Sequence, residues 1–314
     1  MASNPGDAMR YELIVIGSGP AGRRAAIQAA KLGRSVLVIE NRYRVGGVSV
    51  HTGTIPSKTL RETALNLSGW RERGFYGRSY RVKKDIGSQD LGMRLNKTLE
   101  HEVDVLEHQF QRNGVQTMAG FARFENPHML AVTQPDESEY HVHAERVLIA
   151  SGTVPFHPEG IDFNDPDIMD SDQIVDVPRL PRSMTVVGAG VIGIEYATIF
   201  SALDVAVTVI EPRASFLDFI DREIIEEFVH QLRDRGVSFR LGSPVASVTK
   251  DDSGRVVTTT QDGRSVRTEV LLYCAGRMGA TADLGLDKAG LETDARGRLA
   301  VDRSEEHTSE LQSR

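Results

Sequence analysis

The loop at residues 46–58, GGVSVHTGTIPSK, contains the side chains whose types and spacing first suggest chemistry. Two small hydroxyl residues, Ser49 and Thr54, stand between a glycine pair and Lys58. Cysteines at these two positions could form a redox-active pair, but hydroxyl groups cannot carry out thiol–disulfide exchange. The loop therefore has two interpretations. It is either the frame of a dithiol centre without its sulfurs or a loop that only shapes a cofactor pocket.

Two glycine-rich segments form a second, repeated pattern. Residues 13–40 read LIVIGSGPAGRRAAIQAAKLGRSVLVIE, and residues 184–211 read MTVVGAGVIGIEYATIFSALDVAVTVIE. Each predicts a strand, a G-x-G-x-x-G turn, a helix and a second strand that ends in Glu. The first glycine permits the tight turn, the second lets backbone approach a pyrophosphate, and the third lets the helix pack on the strand. The glycines are Gly17, Gly19 and Gly22 in the first segment and Gly188, Gly190 and Gly193 in the second.

The acid that ends each second strand completes the pattern. Glu40 and Glu211 follow their glycine turns at the same offset, where a carboxylate can accept hydrogen bonds from a ribose diol. A plain βαβ turn without a ligand is the alternative, but such a turn has no evident structural need for Glu. Two copies of the whole pattern therefore predict two dinucleotides, a resident flavin and a diffusing nicotinamide.

Composition sets limits on the class of protein. The chain has 314 residues, of which 40% are hydrophobic and 26% charged, enough for two domains. Its net charge of -7 and the lack of a basic tail argue against nucleic acid as a partner. The sequence has no long apolar run, no secretory segment at its start and a single cysteine, so we expect no membrane span and a cytoplasmic location. No metal site is predicted.

The remaining sequence supplies the elements that must position these residues. Apolar residues at helical spacing predict a long amphipathic helix that ends at 113–114. A shorter helix is expected over 58–70 and another over 221–236, with β-like runs from 115 to 155 and from 237 to 275. Together these patterns predict an α/β fold. The periodic residues of the long helix are Leu95, Leu99, Val103, Leu106 and Phe110.

Over residues 9–302 the chain resembles the FAD-dependent pyridine nucleotide–disulfide oxidoreductases. The motifs that carry the resemblance are GSGPAG, GGVSVHTGTIPSK, IASGTVP, GAGVIGIEYA and YCAGR. The resemblance implies two Rossmann-like, three-layer ββα domains. These are an FAD-binding domain at 9–155, to which 281–302 returns, and an NAD(P)-binding domain at 156–280.

The resemblance also implies which residues hold the two cofactors. FAD would be held by Gly17, Gly19, Pro20, Ala21, Gly22, Glu40, Asn41, Gly46, Gly47, Val48, Ser49, Gly53, Lys58, Ser151 and Gly152. NAD or NADP would be held by Gly188, Gly190, Val191, Ile192, Gly193, Glu195, Glu211, Arg213 and Gly276.

The hydroxyl pair distinguishes the chain from the disulfide members, which carry Cys at positions 49 and 54. Cys274 lies in a predicted buried strand and cannot replace them. Within the family the chain is similar to the soluble pyridine nucleotide transhydrogenases, particularly at HTGTIPSKTLRE and DFNDPDIMDSD. These relatives carry Thr at position 54 but usually keep Cys at position 49. Ser49 therefore either changes the flavin potential or is harmless.

That likeness implies a ping-pong transfer of hydride between NADPH and NAD through FAD, without a redox disulfide. Lys58 and Glu195 are the implied catalytic ion pair beside the flavin, although each could be an ordinary solvated helix residue. Val191 stands where some relatives have a gating Tyr. Glu211 favours the NAD ribose, whereas Arg213 could bind a 2′-phosphate. His51 is either a proton donor or a loop histidine without a role.

Two other functions remain open. The chain could be an NAD(P)H dehydrogenase or diaphorase that passes electrons to a quinone or another acceptor, or an inactive dinucleotide-binding fragment. Residues 303–314 resemble the translation of a sequencing-library adapter, with a genuine polar terminal helix as the alternative. On the first interpretation the C-terminal dimerisation domain of the family is missing, and the full-length form is expected to be a homo-oligomer.

Overall fold

The computed structural model describes residues 9–77 and 79–301, which form two compact units. The first unit comprises 9–51, 99–154 and 277–301, and the second comprises 52–98 and 155–276. The predicted boundaries of the FAD-binding and NAD(P)-binding domains differ from the bounds of these two units. The predicted domain boundaries stay a prediction. The expectation about 303–314 lies outside the described residues. In the described part of the chain, every helix is too short or too polar to cross a membrane.

The helices of the described residues are α1 Pro20–Lys31, α2 Gly47–His51, α3 Thr54–Ser68, α4 Arg73–Tyr76, α5 Ser88–Arg112, α6 Val191–Ala202 and α7 Arg222–Asp234. The strands that precede residue 160 are β1 Met9–Ile16, β2 Val36–Glu40, β3 Gln116–Ala119, β4 Phe121–Asn126, β5 Met129–Thr133, β6 Glu139–Ile149 and β7 Thr153–Pro155. Those that follow are β8 Ile168–Asp170, β9 Ser183–Val187, β10 Ala206–Glu211, β11 Ser238–Leu241, β12 Val245–Lys250, β13 Val256–Thr260, β14 Ser265–Thr268, β15 Val270–Tyr273 and β16 Arg277–Gly279.

The sheet of the first unit has the strand order β3-β2-β1-β6-β5-β4. Strands β3, β2, β1 and β6 are parallel, whereas β4 and β5 are antiparallel additions. All five residues of β2 are buried, as expected for a parallel strand that is covered on both faces. Because parallel strands end at the same edge, the β1–α1 turn, the end of β2 and the end of β6 lie close together.

The second unit repeats this arrangement with a fully parallel sheet of order β11-β10-β9-β15-β8. The antiparallel sheet β12-β13-β14 packs against it through Val248 and Val256, which contact Ile168 and Leu271. Helix α6, which connects β9 to β10, buries Ile194, Tyr196, Ala197, Ile199 and Phe200, among others. The antiparallel sheet and the helices thus flank the parallel sheet, which gives the expected three-layer ββα arrangement.

The predicted helices are present with shifted boundaries. Helix α5 ends at Arg112, ahead of Gly114 with a φ of 71°, and the predicted apolar positions are buried or half-buried. Helix α3 begins at Thr54, earlier than expected, because Pro56 lies in its first turn, where a missing N–H breaks no helical hydrogen bond. The side chain of Asp221 caps α7 by accepting a hydrogen bond from the Glu223 N–H at 2.9 Å.

Candidate dinucleotide-binding sites

The first glycine turn joins β1 to α1, and its glycines have two different roles. A Cβ at Gly17 would lie 2.3 Å from the carbonyl oxygen of Ala150, and one at Gly22 would lie 2.0 Å from the carbonyl oxygen of Gly17. These two glycines are therefore required by backbone packing. A Cβ at Gly19 would meet nothing within 4 Å. The open space at Gly19, at the N-terminus of α1, suits the close approach of a pyrophosphate.

The second turn, between β9 and α6, has the same geometry. A Cβ at Gly188 would lie 2.7 Å from the Cys274 carbonyl oxygen, and one at Gly193 would lie 2.1 Å from the Gly188 carbonyl oxygen. A Cβ at Gly190, like one at Gly19, would meet no atom within 4 Å. The repeat seen in the sequence is thus a repeat in packing, and both turns fit a dinucleotide.

The two acids are buried and hold the turns. Glu40 accepts hydrogen bonds from the Ser18 N–H at 3.0 Å and from the Arg42 N–H at 3.1 Å. Glu211 accepts the equivalent bonds from Ala189 at 2.8 Å and from Arg213 at 3.1 Å. The expectation that Glu has no structural role at this position is wrong, because each carboxylate satisfies buried backbone donors of its own turn. A ribose diol would be an additional partner for these oxygens.

Ser18 is a structural residue that the sequence reasoning missed. Its hydroxyl donates to Glu40 and accepts a hydrogen bond from the Gly46 N–H at 2.8 Å. A Cβ at Gly47 would lie 2.8 Å from the Gly19 Cα, so the glycine pair of the loop packs directly on the first turn. The sequence does show that Ser18 of GSGPAG replaces the Ala of GAGVIG. That difference does not reveal the role of the hydroxyl, which depends on Gly46 lying nearby.

Arg213 is engaged with Glu211 rather than free. Its Nε donates to Glu211 Oε1 at 2.7 Å, and its Nη1 lies 3.8 Å from a carboxylate oxygen of Asp218. Burial raises the pKa of Glu211, but hydrogen bonds from Arg213 and from the Ala189 N–H outweigh it, so the pKa is lowered. The same ion pair raises the pKa of Arg213. A 2′-phosphate would have to compete with these carboxylates for the guanidinium.

Lys58 and Glu195 are brought together as an ion pair between α3 and α6. The Lys58 side chain is 60% exposed, whereas that of Glu195 is only 19% exposed. The half-buried carboxylate therefore fixes a cation that remains accessible to a ligand. The catalytic role of the pair stays a prediction.

The hydroxyl pair falls in two different elements, since Ser49 lies in α2 of the first unit and Thr54 begins α3 of the second. His51 Nε2 lies 3.0 Å from the Val45 carbonyl oxygen, which favours a structural role over proton donation. The expectation that Cys274 lies in a buried strand is wrong, since the residue follows β15 and is half-buried. Its N–H donates to the Val187 carbonyl oxygen at 2.7 Å.

The other predicted contact residues lie at the same strand edges. Pro20 and Ala21 open α1, Asn41 follows β2, Val48 lies in α2, and Gly53 precedes α3. Ser151 and Gly152 follow β6, and the Gly152 carbonyl accepts a hydrogen bond from the Ala280 N–H at 3.0 Å. Val191 and Ile192 begin α6 with 59% and 36% exposure. Gly276, with a φ of 122°, follows β15 and would have an unobstructed Cβ. Contact with a cofactor remains a prediction for all of these residues.

In residues 9–77 and 79–301, no three His, Cys, Asp or Glu side chains are grouped in a way that could hold an ion.

Comparison with known proteins places this geometry in a family. The sequence model of the pyridine nucleotide-disulphide oxidoreductase family matches residues 11–310. A soluble pyridine nucleotide transhydrogenase of Mycobacterium bovis (strain BCG / Pasteur 1173P2) is 47% identical over 293 residues, covering 93% of this chain and 62% of the relative. The protein of the same name from Colwellia psychrerythraea is 36% identical over 291 residues, with the same coverage of 93% and 62%.

Solved structures give the same result for the fold. The HOCl-induced flavoprotein disulfide reductase RclA from Escherichia coli, solved as a Cu(II) complex, is 27% identical with a TM-score of 0.82, covering 93% of this chain and 62% of that one. LpdA from Mycobacterium tuberculosis is 27% identical with a TM-score of 0.83, covering 94% and 64%.

These matches extend along 93% of this chain, but the chain spans only about 62% of the length of the curated relatives. The predicted fold class and the predicted FAD and NAD(P) cofactors are confirmed at the level of the family. The chain belongs to the pyridine nucleotide-disulphide oxidoreductase family.

Proposed function

We propose that this protein transfers hydride between NADPH and NAD, as a flavoprotein of the soluble transhydrogenase type. The observation that carries the proposal is the combination of two equivalent glycine turns with a loop that has Ser49 and Thr54 in place of a cysteine pair. The names of the curated relatives from Mycobacterium bovis and Colwellia psychrerythraea support it.

The absence of a second cysteine restricts how electrons can leave the reduced flavin. With one cysteine in the sequence, no intrachain disulfide can form, so a dithiol route to an external acceptor is closed. Cys274 does not reopen it, because a single thiol cannot form a redox-active pair within the chain. The remaining exit that the sequence supports is a second nicotinamide dinucleotide.

The first unit would hold FAD through the open turn at Gly19 and through Glu40. FAD, when bound, supplies a group that can accept a hydride and return it. The second unit would take either nicotinamide dinucleotide, one after the other, with its pyrophosphate at Gly190 and its adenosine ribose near Glu211. Successive use of one site by both substrates is the basis of the proposed ping-pong order.

Lys58 would provide the fixed positive charge of the site. Its ammonium group is held by Glu195, and both side chains project from helices rather than flexible loops. A cation fixed in advance stabilises negative charge that develops during hydride transfer without a reorganisation penalty. Glu195 acts in this proposal by positioning Lys58.

The decisive test is NADPH-dependent reduction of thio-NAD without oxygen, with the chain extended to the length of its curated relatives. Turnover supports transhydrogenation and shows that Ser49 and Thr54 suffice. If FAD is bound and NADH reduces it, yet thio-NAD is not reduced, the proposal fails and a diaphorase with another acceptor takes its place. The inactive-fragment alternative is tested on the 314-residue chain itself, where bound FAD would count against it. Cytoplasmic location and homo-oligomerisation are parts of the same proposal.

A further inference from the structure

A concave surface lies in the second unit, along helix α6. It is a groove of about 580 Å³ between α3, α6 and the segment 217–228. That volume is within the usual range for small-molecule sites, which is roughly 300–1,000 Å³. Its lining includes Arg61, Val191, Glu195, Phe219, Ile224 and Arg235.

The groove is lined mainly by apolar side chains, and several large ones are exposed. Phe219 is 77% exposed, Ile224 61% and Val191 59%. Helix α6 is apolar around most of its circumference, so the face directed away from the parallel sheet is largely apolar as well. A contiguous exposed apolar surface of this kind commonly marks a binding site.

One end of the groove is cationic. Arg235 follows α7, and its guanidinium lies 4.7 Å from the centre of the Trp70 ring. Arg73 covers the same ring at 4.9 Å, but it is neutralised by Asp204 at 3.1 Å. Within residues 9–77 and 79–301, no carboxylate pairs with Arg235. Its pKa is lowered by partial burial and by the nearby charge of Arg61.

The other end of the groove carries an ion pair. Glu195 lies in the second turn of α6 and is paired with Lys58, whereas Asp204, Arg73 and Trp70 connect Arg235 to the C-terminal end of that helix. Of the two arginines in the lining, Arg61 is paired with Glu62, so Arg235 is the one without a carboxylate partner among residues 9–77 and 79–301.

We propose that this groove binds an anionic amphiphile, with an acyl chain along α6 and its carboxylate on Arg235. The apolar chain would cover Phe219 and Ile224. The carboxylate would supply the counter-charge that Arg235 lacks, and a guanidinium can bind it through two parallel hydrogen bonds. The carboxylate end of the groove is separate from the proposed transhydrogenation, because Arg235 and Phe219 have no role in that reaction, whereas Val191 and Glu195 at the other end belong to the proposed nicotinamide site.

The test is isothermal titration calorimetry of the purified protein with decanoate and with the uncharged decanol as probes. We expect decanoate to bind more tightly than decanol. Arg235→Gln should weaken decanoate binding by about tenfold or more, the effect of losing a charge-assisted bond, and leave decanol binding unchanged. Arg222→Gln is the matched control, since it removes a 90% exposed arginine from helix α7 and should change neither affinity.

A second variant covers the case in which Arg235→Gln does not fold. Ile224→Asp places a carboxylate at a 61% exposed position in the groove wall and should weaken both decanoate and decanol. The proposal is overturned if the wild type does not bind decanoate or binds the two probes equally. It is also overturned if Arg222→Gln has the same effect as Arg235→Gln, or if Ile224→Asp leaves both affinities unchanged.

Discussion

At the scale of single residues, the buried acids at the ends of β2 and β10 have a structural role beside any role in binding. Glu211 accepts hydrogen bonds from two backbone N–H groups and from the Arg213 side chain. Glu40 accepts from Ser18 and from the Arg42 N–H. A buried carboxylate is stable only when it is compensated in this way. Each acid therefore stabilises the turn that would present the pyrophosphate site.

In the acid range, the free energy of unfolding of the Glu211→Gln variant should vary less with pH than that of the wild type. The folded-state pKa of Glu211 is lowered, so its ionised form contributes stability that is fully present above about pH 4.3, the ordinary value, and is lost as the pH falls through the folded pKa. At pH 7 the variant should be less stable by roughly 1–3 kcal/mol, because one carboxylate oxygen becomes an NH2 group, which leaves a buried donor without its acceptor, and because the charge that pairs with Arg213 is lost. That deficit should shrink as the pH falls below about 4.

Urea unfolding measured from about pH 3.5 to 8 checks this expectation. Glu226→Gln is the control, because Glu226 is 63% exposed and pairs with the exposed Arg222. A deficit for Glu211→Gln that stays constant across the pH range would show that the carboxylate charge is not the cause.

Glu195→Gln should slow flavin reduction by NADH by about tenfold or more while FAD stays bound, because Lys58 loses the carboxylate that positions it. Stopped-flow absorbance of the flavin measures the rate. Glu62→Gln, which removes a carboxylate that pairs with Arg61 and Arg71 on the surface of α3, should leave the rate unchanged. An unchanged rate in Glu195→Gln would remove Glu195 from the proposed chemistry.

At the scale of elements, the strand–turn–helix junctions depend on two glycines for packing and leave the third free for a ligand. Gly188 and Gly193 are in contact with backbone, whereas Gly190 at the start of α6 faces open space. Stability and binding are therefore separated between neighbouring positions of one turn. The same separation holds for Gly17, Gly22 and Gly19.

Gly193→Ala should destabilise the protein, and Gly190→Ala should not. The added methyl group at 193 would lie 2.1 Å from a carbonyl oxygen and force α6 away from β9, at a cost of roughly 1–3 kcal/mol or more. At 190 the methyl group meets nothing within 4 Å, so the loss should stay below about 1 kcal/mol. Chemical denaturation of both variants measures the difference, and equal losses would contradict the packing argument.

At the scale of the whole molecule, each of the two units contains a parallel sheet and one glycine turn at a strand edge. The first unit adds antiparallel strands within its sheet, whereas the second adds the separate sheet β12-β13-β14. The turns are nevertheless alike, with Glu40 and Glu211 accepting bonds from equivalent backbone positions. Two equivalent turns in one chain provide for two dinucleotides.

Matched substitutions in the two turns should separate the two cofactors. Gly19→Ala should lower FAD content, because the methyl group would occupy the open space of the first turn. Gly190→Ala should keep FAD but weaken NADH binding by about tenfold or more, since the pyrophosphate could no longer approach the backbone closely. Flavin absorbance of the purified proteins and NADH titration measure the two effects. Loss of FAD in Gly190→Ala would contradict the assignment of the turns.

The repeated βαβ pattern, the role of the glycines and the long helix α5 could be predicted from local sequence patterns. These features follow from local rules, namely strand and helix periodicity and the steric demands of a tight turn. It also excluded an intrachain disulfide, because that conclusion needs only a count of cysteines.

The structural role of Glu40 and Glu211, the link from Ser18 to Gly46, and the position of Arg235 beside Trp70 follow from the three-dimensional fold alone. Each depends on residues that are far apart in sequence, such as Ser18 and Gly46 or Trp70 and Arg235. The physical reason is that a hydrogen bond or a charge contact is fixed by three-dimensional distance, which periodicity does not specify.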